Sequence, residues 1–215
     1  MKRCIIIPTL NEEEGIAQTI KKIPKGYDIF VIDGYSKDNT VKIARKLGAK
    51  IIYCKKRGKG NAIKKALKKL NYDIYILIDG DGTYNGKYIS LLSKKIENGE
   101  GDVILGSRFL GKPNGLTLFR FISNKILIKT INLLNNANIS DISTGLRGMS
   151  KEFVQNVNLA VGDFRIETEI TLHALKNGYK IVEIPIDYEE RLGKSKVKII
   201  DMLRIYLYAL KESLK

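Results

Sequence analysis

The chain has 215 residues, of which 44% are apolar and 28% charged, and its formal net charge is +15. This supports one large domain with its own core, and two cysteines, Cys4 and Cys54, are too few for a disulfide framework, which favours a reducing, cytoplasmic setting. We expect no signal peptide at residues 1–3 and no membrane span, because no run approaches about 18 apolar residues.

Apolar runs alternate with amphipathic segments along the chain. Strands are predicted over residues 3–8, 28–33, 49–54, 73–79, 102–107 and 180–185. Helices are predicted over residues 12–23, 40–47, 61–70 and 167–176. Asn11 is expected to cap the first helix, with Glu14 as its reciprocal partner. The alternation predicts a mostly parallel α/β sheet flanked by helices, with ligand crevices at its carboxyl edge.

Two carboxylates, Asp79 and Asp81, follow directly after the apolar run at residues 74–78. A buried strand would therefore place them at the sheet edge where open α/β sheets bind ligands. Carboxylate oxygens suit a hard divalent ion, Mg²⁺ or Mn²⁺, which holds few protein carboxylates and completes its shell with water and substrate phosphate. The alternative is a surface turn, because Asp and Gly both favour turns.

The strong positive charge requires a partner hypothesis, namely nucleic acid, an anionic membrane or a phosphorylated substrate. Much of the charge has helical spacing, as in Lys64, Lys65, Lys68 and Lys69, which is typical of a solvated helix face. No nucleic-acid motif accompanies it, so a nucleic-acid partner is not expected.

Several short motifs occur in a characteristic order in the first half: residues 7–13 (IPTLNEE), 31–40 (VIDGYSKDNT), 59–62 (KGNA), 79–81 (DGD) and 106–108 (GSR). Their order and spacing resemble the nucleotide-sugar half of the family 2 glycosyltransferases, which have the GT-A fold. The resemblance implies a single GT-A domain over residues 1–215, with a nucleotide-sugar half at 1–112 and an acceptor half at 113–215.

The second half narrows the resemblance, through residues 120–124 (RFISN), 143–147 (STGLR), 167–169 (ETE), 183–186 (EIPI) and 191–196 (RLGKSK). These motifs resemble the dolichyl-phosphate mannose synthase branch, which transfers a sugar from a nucleotide sugar to a polyprenyl phosphate. The implied reaction is metal dependent and inverts the anomeric configuration. GDP-mannose and UDP-sugars both remain open as donors.

The resemblance also implies residue roles. The nucleotide sugar is assigned Pro8, Asn11, Glu12, Asp33, Lys59, Asp79 and Arg108. The metal, Mg²⁺ or Mn²⁺, is assigned Asp79 and Asp81. The acceptor phosphate is assigned Arg120, Ser123, Arg147, Arg191 and Lys196. Catalysis is assigned to Asp81, Arg120, Arg191 and Lys196.

Three of these assignments carry qualifications. The family often has two acids where this chain has Ile32 and Asp33, which leaves Asp33 alone for the nucleotide. Glu12 would also suit a plain helix start, and Lys59 would also suit a plain surface position.

The sequence offers no obvious general base, and a phosphate acceptor would not need one. The lone histidine, His173, lies in a predicted helix without an obvious acidic partner, and we expect it to be a packed or half-exposed helix residue. A hydroxyl acceptor normally needs a general base, whereas a phosphate monoester, with a second pKa near ~6, is already ionised at neutral pH. Two alternatives stay open: a glycosyltransferase acting on a hydroxyl acceptor, and a non-catalytic basic protein that binds nucleic acid or membrane surfaces.

Two segments, residues 116–134 and 197–214, carry apolar residues at helical spacing interrupted by Lys and Arg. Such helices lie in a membrane interface or pack against a core, and the sequence does not distinguish the two. With a lipid-linked acceptor, we expect the protein at the inner face of the cell membrane, held peripherally or through a membrane partner.

Overall fold

Seven strands share one sheet, and the computed structural model describes all of residues 1–215. The strands are β1 Arg3–Thr9, β2 Asp28–Asp33, β3 Lys50–Tyr53, β4 Ile74–Leu77, β5 Val103–Lys112, β6 Arg147–Ser150 and β7 Ile181–Asp187. Their order across the sheet is β3-β2-β1-β4-β6-β5-β7, and β6 alone runs antiparallel to its neighbours. The predicted mostly parallel α/β sheet is confirmed.

Helices cover both faces of this sheet. They are α1 Ile16–Lys21, α2 Thr40–Lys46, α3 Lys59–Lys69, α4 Lys87–Glu97, α5 Leu118–Asn135, α6 Lys151–Asn156, α7 Ile166–Lys176 and α8 Ile199–Ser213. None of them combines the length and apolar character needed to cross a membrane.

The alternation of side chains along β1 explains the layering. Cys4 and Ile6 join a core with α3, α6 and α7, whereas Ile5 and Ile7 join a second core with α1, α2 and α4. Because successive side chains of a strand point to opposite faces, a continuous apolar run such as β1 needs a helix layer on each side. Because these strands are parallel, their carboxyl ends lie at the same edge of the sheet.

A third, smaller core lies between α5, α7 and α8. Leu127, Ile128 and Ile131 of α5 are buried there against Leu172 of α7 and Ala209 of α8. Burying each such side chain contributes roughly 1.5–3 kcal/mol, which is enough to hold both amphipathic helices on the domain. One face of each helix is thus committed to the protein core.

Some local predictions were wrong. The first helix begins at Ile16, and Asn11 does not cap it, since Gly15 stands at the N-cap without any side-chain bond. Asn11 instead adopts a left-handed conformation, with φ of 52°, and its side-chain oxygen accepts from the backbone N–H of Lys37. The Asn11 side chain therefore stabilises the loop after β2 by accepting this hydrogen bond.

The elements β6, α4 and α6 were not anticipated. Since β6 and β7 complete the same sheet as β1 to β5, residues 113–215 contribute to the core on which residues 1–112 fold. The division into a nucleotide-sugar half and an acceptor half remains a functional prediction.

Candidate active site

The Asp79-Gly80-Asp81 turn lies at the carboxyl end of β4, as predicted. It is held by α1: the Thr19 hydroxyl accepts from the Gly82 N–H at 3.1 Å and donates to the Asp79 carbonyl at 3.4 Å. Gly15 lies so close that a Cβ there would be 2.5 Å from the Asp81 carbonyl carbon. Only a glycine at this position allows the start of α1 to contact the turn, so helix and carboxylates are fixed together.

Asp79 faces a buried cation. Its Oδ1 lies 2.5 Å from Nζ of Lys59, which also forms an ion pair with Glu167 at the start of α7. Burial alone would raise the pKa of Asp79, but the ammonium of Lys59 holds that pKa below its ordinary value. Gly145 packs against this carboxylate, because a Cβ there would lie 2.2 Å from Oδ2. Lys59 is therefore part of the site, and the plain surface alternative is wrong.

Asp81 is almost fully buried, and its two oxygens have different partners. Oδ1 accepts from the hydroxyl of Thr83 at 2.7 Å and from its N–H at 3.2 Å, whereas Oδ2 lies 2.5 Å from Nη1 of Arg191. Burial, reinforced by the charge of Asp79, raises the pKa of Asp81 above the usual value despite the Arg191 ion pair. The turn thus concentrates negative charge that the protein's own cations only partly compensate.

A segment from the second half of the chain crosses over these acids. We name residues 189–197 the strap; its backbone bonds to the turn, since the Leu192 N–H donates to the Asp81 carbonyl at 3.0 Å. Arg191 also pairs with both oxygens of Glu12, at 2.7 and 2.8 Å, and Lys196 forms an ion pair with the same carboxylate. Burial raises the pKa of Glu12, and these two cations oppose the rise.

The start of α5 contacts the end of the strap. Nη2 of Arg120 donates to the Ser195 hydroxyl at 2.6 Å and to the Val197 carbonyl at 3.3 Å. Ser123, one turn further along α5, lines the same space and donates to the Phe119 carbonyl at 2.8 Å. The sequence-predicted residues Glu12, Asp81, Arg120, Arg191 and Lys196 are therefore linked through this strap.

Next to these groups lies a cavity of about 510 Å³, and Asp81, Arg120, Ser123 and Arg191 line it. One end carries most of the charged lining, namely Lys59, Asp79, Asp81, Arg108, Glu167 and Arg191, and Arg120 of α5 is also charged. The other end lies between α5 and α8 and is largely apolar, lined by Leu116, Phe119, Ile126, Leu127, Ile199, Met202, Leu203, Ile205 and Tyr206. A ligand that fills the whole cavity would need an anionic end and a hydrocarbon end.

Not every predicted residue reaches this cavity. Arg147 is fully buried, and its guanidinium donates to the carbonyls of Thr144 and Glu167 and to the hydroxyl of Thr171. Its assignment to the acceptor phosphate is corrected: burial lowers its pKa, and it ties the start of β6 to α7.

The nucleotide-side residues lie at the neighbouring strand ends. Pro8 pairs with Ile32 across β1 and β2. Asp33 is fully buried and accepts from the hydroxyl and N–H of Ser36, at 2.5 and 2.9 Å, so its carboxylate is already engaged in the loop. The structure brings Asp33 to the correct edge, and its contact with a nucleotide stays a prediction.

Sequence reasoning gave no role to two acids of the site. Glu167 lines the cavity and holds Lys59, and Asp141 accepts from Arg108. Glu167 belongs to the ETE motif, which carried part of the family resemblance and could have identified it. Asp141 lies in a loop before β6 and had no signal of its own.

His173 is half-buried, and burial lowers its pKa. It packs edge-on against Phe153, with ring centroids 6.0 Å apart. The prediction of a packed helix residue is confirmed.

Comparison with known proteins tests the resemblance. The model of the family described as "Glycosyl transferase family 2" matches residues 4–157. The chain belongs to this family. Glycosyltransferase AglJ of Haloferax volcanii is 31% identical over 192 residues, which cover 87% of this chain and 63% of the relative. A dolichol-phosphate mannosyltransferase of Pyrococcus furiosus is 31% identical over 98% of this chain and 64% of its own length. The chain thus spans less than two thirds of either relative.

The fold of this family 2 glycosyltransferase also matches a solved structure. Glucosyl-3-phosphoglycerate synthase from Mycobacterium tuberculosis, crystallised with Mn²⁺, uridine diphosphate and phosphoglyceric acid, superposes with a TM-score of 0.79 at 18% identity. The match covers 99% of this chain and 77% of the other. It confirms the GT-A fold.

The donor set of this family 2 member fits a divalent ion. No group of three or more His, Cys, Asp or Glu side chains is arranged to hold a metal, and the assignment of Asp79 and Asp81 as a two-carboxylate site stays a prediction. Two carboxylates with substrate phosphate suffice for Mg²⁺ or Mn²⁺.

Proposed function

We propose that this protein transfers a hexose from a nucleoside diphosphate sugar to a polyprenyl phosphate, with inversion at the anomeric carbon. The observation that carries the proposal is the cavity itself, which joins a charged end at β4 to an apolar end between α5 and α8. A lipid phosphate has this same division between an anionic head and a hydrocarbon chain.

The donor diphosphate would bind at the charged end. Lys59 stands at the start of α3 and lines the cavity, and Arg108 offers a second buried cation. Asp79 and Asp81 would hold Mg²⁺ or Mn²⁺. When bound, that ion would neutralise charge developing on the leaving nucleoside diphosphate.

The acceptor phosphate would be held by the cations of the strap and of α5. In the reaction, one phosphate oxygen attacks the anomeric carbon and forms the new C–O bond as the bond to the diphosphate breaks. No proton needs to be removed, because the attacking oxygen is already ionised near neutral pH. Arg191, Lys196 and Arg120 hold two anionic substrates together, which is the electrostatic task that remains.

The outer faces of α5 and α8 support contact with a membrane surface. Large apolar side chains that do not line the cavity are extensively exposed there: Leu118, Ile122, Leu133, Ile200 and Leu207. Because the inner faces of α5 and α8 pack into the third core, each helix can pack against the protein on one side and lie in a membrane interface on the other. An exposed apolar stripe flanked by Lys and Arg is suited to a bilayer interface.

The comparisons support the proposal at a coarser level. One relative is named dolichol-phosphate mannosyltransferase, and the structural neighbour was crystallised with Mn²⁺ and uridine diphosphate. Sugar, base and acceptor length are left to experiment.

The test combines the purified protein with Mn²⁺ or Mg²⁺, radiolabelled nucleotide sugars and a short polyprenyl phosphate. We expect label in the organic phase with one donor, lost in EDTA and in Asp81→Ala. Glu152→Ala, which removes an exposed carboxylate of α6 outside the cavity, should keep full activity. Transfer by Asp81→Ala at the wild-type rate would exclude the metal assignment.

A hydroxyl acceptor is the second candidate, because Glu167 gives the cavity a carboxylate that could act as a base. Label in a water-soluble saccharide, lost in Glu167→Gln, would favour this reaction over lipid transfer. Salt-sensitive binding of DNA that persists in EDTA, without transfer, would instead favour the non-catalytic alternative.

A further inference from the structure

Arg108 is clamped by a buried carboxylate that takes no part in the strap. Asp141 is fully buried, and its carboxylate accepts three N–H groups of Arg108: Nε at 2.7 Å, Nη2 at 2.8 Å and the backbone N–H at 3.1 Å. The pair is a two-pronged guanidinium–carboxylate contact with a third bond to the main chain. It fixes both the position and the rotation of the guanidinium.

The loop that carries Asp141 is itself anchored. Glu183 of β7 accepts the N–H groups of Ser140 and Asp141, at 2.8 and 3.0 Å, and the hydroxyls of Ser140 and Ser107 lie 2.6 Å apart. The ring of Tyr188 stacks under the guanidinium, with the Arg108 carbon 5.3 Å from the ring centroid. The clamp therefore rests on β5 and β7.

One edge of the guanidinium remains open. Nη1 of Arg108 has no hydrogen-bond partner in the protein and is not among the buried polar atoms lacking one, and Arg108 lines the cavity beside Asp79 and Lys59. Arg191 and Lys196 differ, since they belong to the strap and bond to Asp81 and Glu12, and Arg120 bonds to Ser195 of the strap. Arg108 is thus a cation that the sheet holds in place whatever the strap does.

We propose that Asp141 is a positioning residue that fixes Arg108 so that its Nη1 donates to a phosphate oxygen of the substrate in the cavity. This inference rests on the proposed function. A donor held in place before the reaction needs no reorganisation as charge develops, which makes it more effective than a mobile one. Glu183 supports the same geometry through the loop.

Asp141→Asn is the informative variant, because it keeps the side-chain volume but brings an amide NH₂ against the guanidinium donors. Arg108→Lys keeps the charge but loses the planar fork. If the clamp acts through Arg108, each variant should lower kcat/KM at least 30-fold. The double variant should lose little more than either single variant, because the second change removes an interaction that is already lost.

The chain offers a matched control. Asp163 accepts the same three groups of Arg165, with Nε and Nη2 both at 2.8 Å and the backbone N–H at 3.1 Å, but neither residue lines the cavity. Asp163→Asn should therefore leave kcat and both KM values within twofold of the wild type. Separate KM values identify the phosphate: a higher KM for the nucleotide sugar indicates its diphosphate, and a higher KM for the lipid indicates the acceptor.

A binding measurement separates this inference from the proposed function. Inorganic pyrophosphate and short-chain polyprenyl phosphate are titrated against wild type, Asp141→Asn and the milder Glu183→Gln by calorimetry in Mn²⁺. At least tenfold weaker binding of either probe to Asp141→Asn supports the clamp even if no sugar is transferred. If Asp141→Asn does not fold, the same direction of change in Glu183→Gln decides. Unchanged binding of both probes, or independent losses in the double variant, would overturn the proposal.

Discussion

Arg191 is paired with the Asp81 carboxylate that would bind the metal. Replacing Arg191 should therefore strengthen metal binding and lower the stability of the apoprotein. Its Nη1 lies 2.5 Å from Oδ2 of Asp81, and its Nη2 bonds Glu12. In Arg191→Gln, Asp81 keeps only Thr83 as a partner. We expect a lower melting temperature in EDTA, tighter binding of Mn²⁺ to the apoprotein and loss of transfer activity.

The magnitude follows from the geometry. Two unit charges about 4 Å apart attract by about 4 kcal/mol at an effective dielectric constant near 20. The Arg191 side chain is 22% exposed and shares its charge with Glu12, so we discount this attraction by about half. Without Arg191 competing for Asp81, the free energy of Mn²⁺ binding should become more favourable by roughly 1.5–2 kcal/mol, which corresponds to about 10–30-fold tighter binding.

One thermal series measures both effects. Melting temperatures of wild type, Arg191→Gln and Lys196→Gln are recorded at pH 8 in EDTA and at increasing Mn²⁺ concentration. Lys196 contacts Glu12 and the Asn11 carbonyl but not Asp81, so its variant should respond to Mn²⁺ nearly as the wild type does. Mn²⁺ binding to Arg191→Gln that is equal to or weaker than wild type would refute the view that Arg191 stands at the metal position.

Further predictions concern the turn and α5. Gly145→Ala should reduce transfer at least 100-fold with a well-folded protein, because the new methyl group displaces the Asp79 carboxylate; near-normal kinetics would contradict this contact. Ile131→Ala should lower the free energy of unfolding by about 2–5 kcal/mol in urea titrations, since Ile131 is buried in the third core. Ile122→Ala, at a position 49% exposed and outside the cavity, should change stability little but reduce co-sedimentation with anionic vesicles; equal vesicle binding would argue against a lipid-facing stripe. Because burial and Asp79 raise the pKa of Asp81, protons should displace Mn²⁺ at higher pH than expected for a carboxyl of pKa about 3.9, which Mn²⁺ titrations between pH 8 and 5 would detect.

The sequence predicted the elements whose pattern reflects burial on both faces. The run before Asp79 was read correctly as a strand, and the acids after it lie at the carboxyl edge, because a parallel strand covered on two sides must be continuously apolar. β6 was missed because Arg147–Ser150 has no such pattern. It is a four-residue antiparallel strand held between two stronger ones, so its position is set by β4 and β5 and not by its own composition.

The errors within the site have a different cause. Arg147 and Arg191 were both assigned to the acceptor phosphate, but one is sealed inside the fold and the other spans two acids at the cavity. Exposure decides their chemistry, and a single sequence carries no direct signal for the exposure of an arginine. Asn11 failed as a helix cap for a related reason, since its partner, Lys37, is 26 residues away in sequence.

The structure divides the cations of the site by how they are held. Lys59 is held by Glu167 and Asp79, and Arg108 by Asp141, so neither cation depends on the strap for its place. Arg191 and Lys196 are held by acids that, in the proposed reaction, belong to the donor side, so donor binding changes their partners. Arg191, released from Asp81, would become available to the second anionic substrate once the first is in place. Under the proposed function, this arrangement favours binding of the nucleotide sugar before the lipid phosphate. Initial-rate kinetics with product inhibition would show that order, and a random order would contradict it.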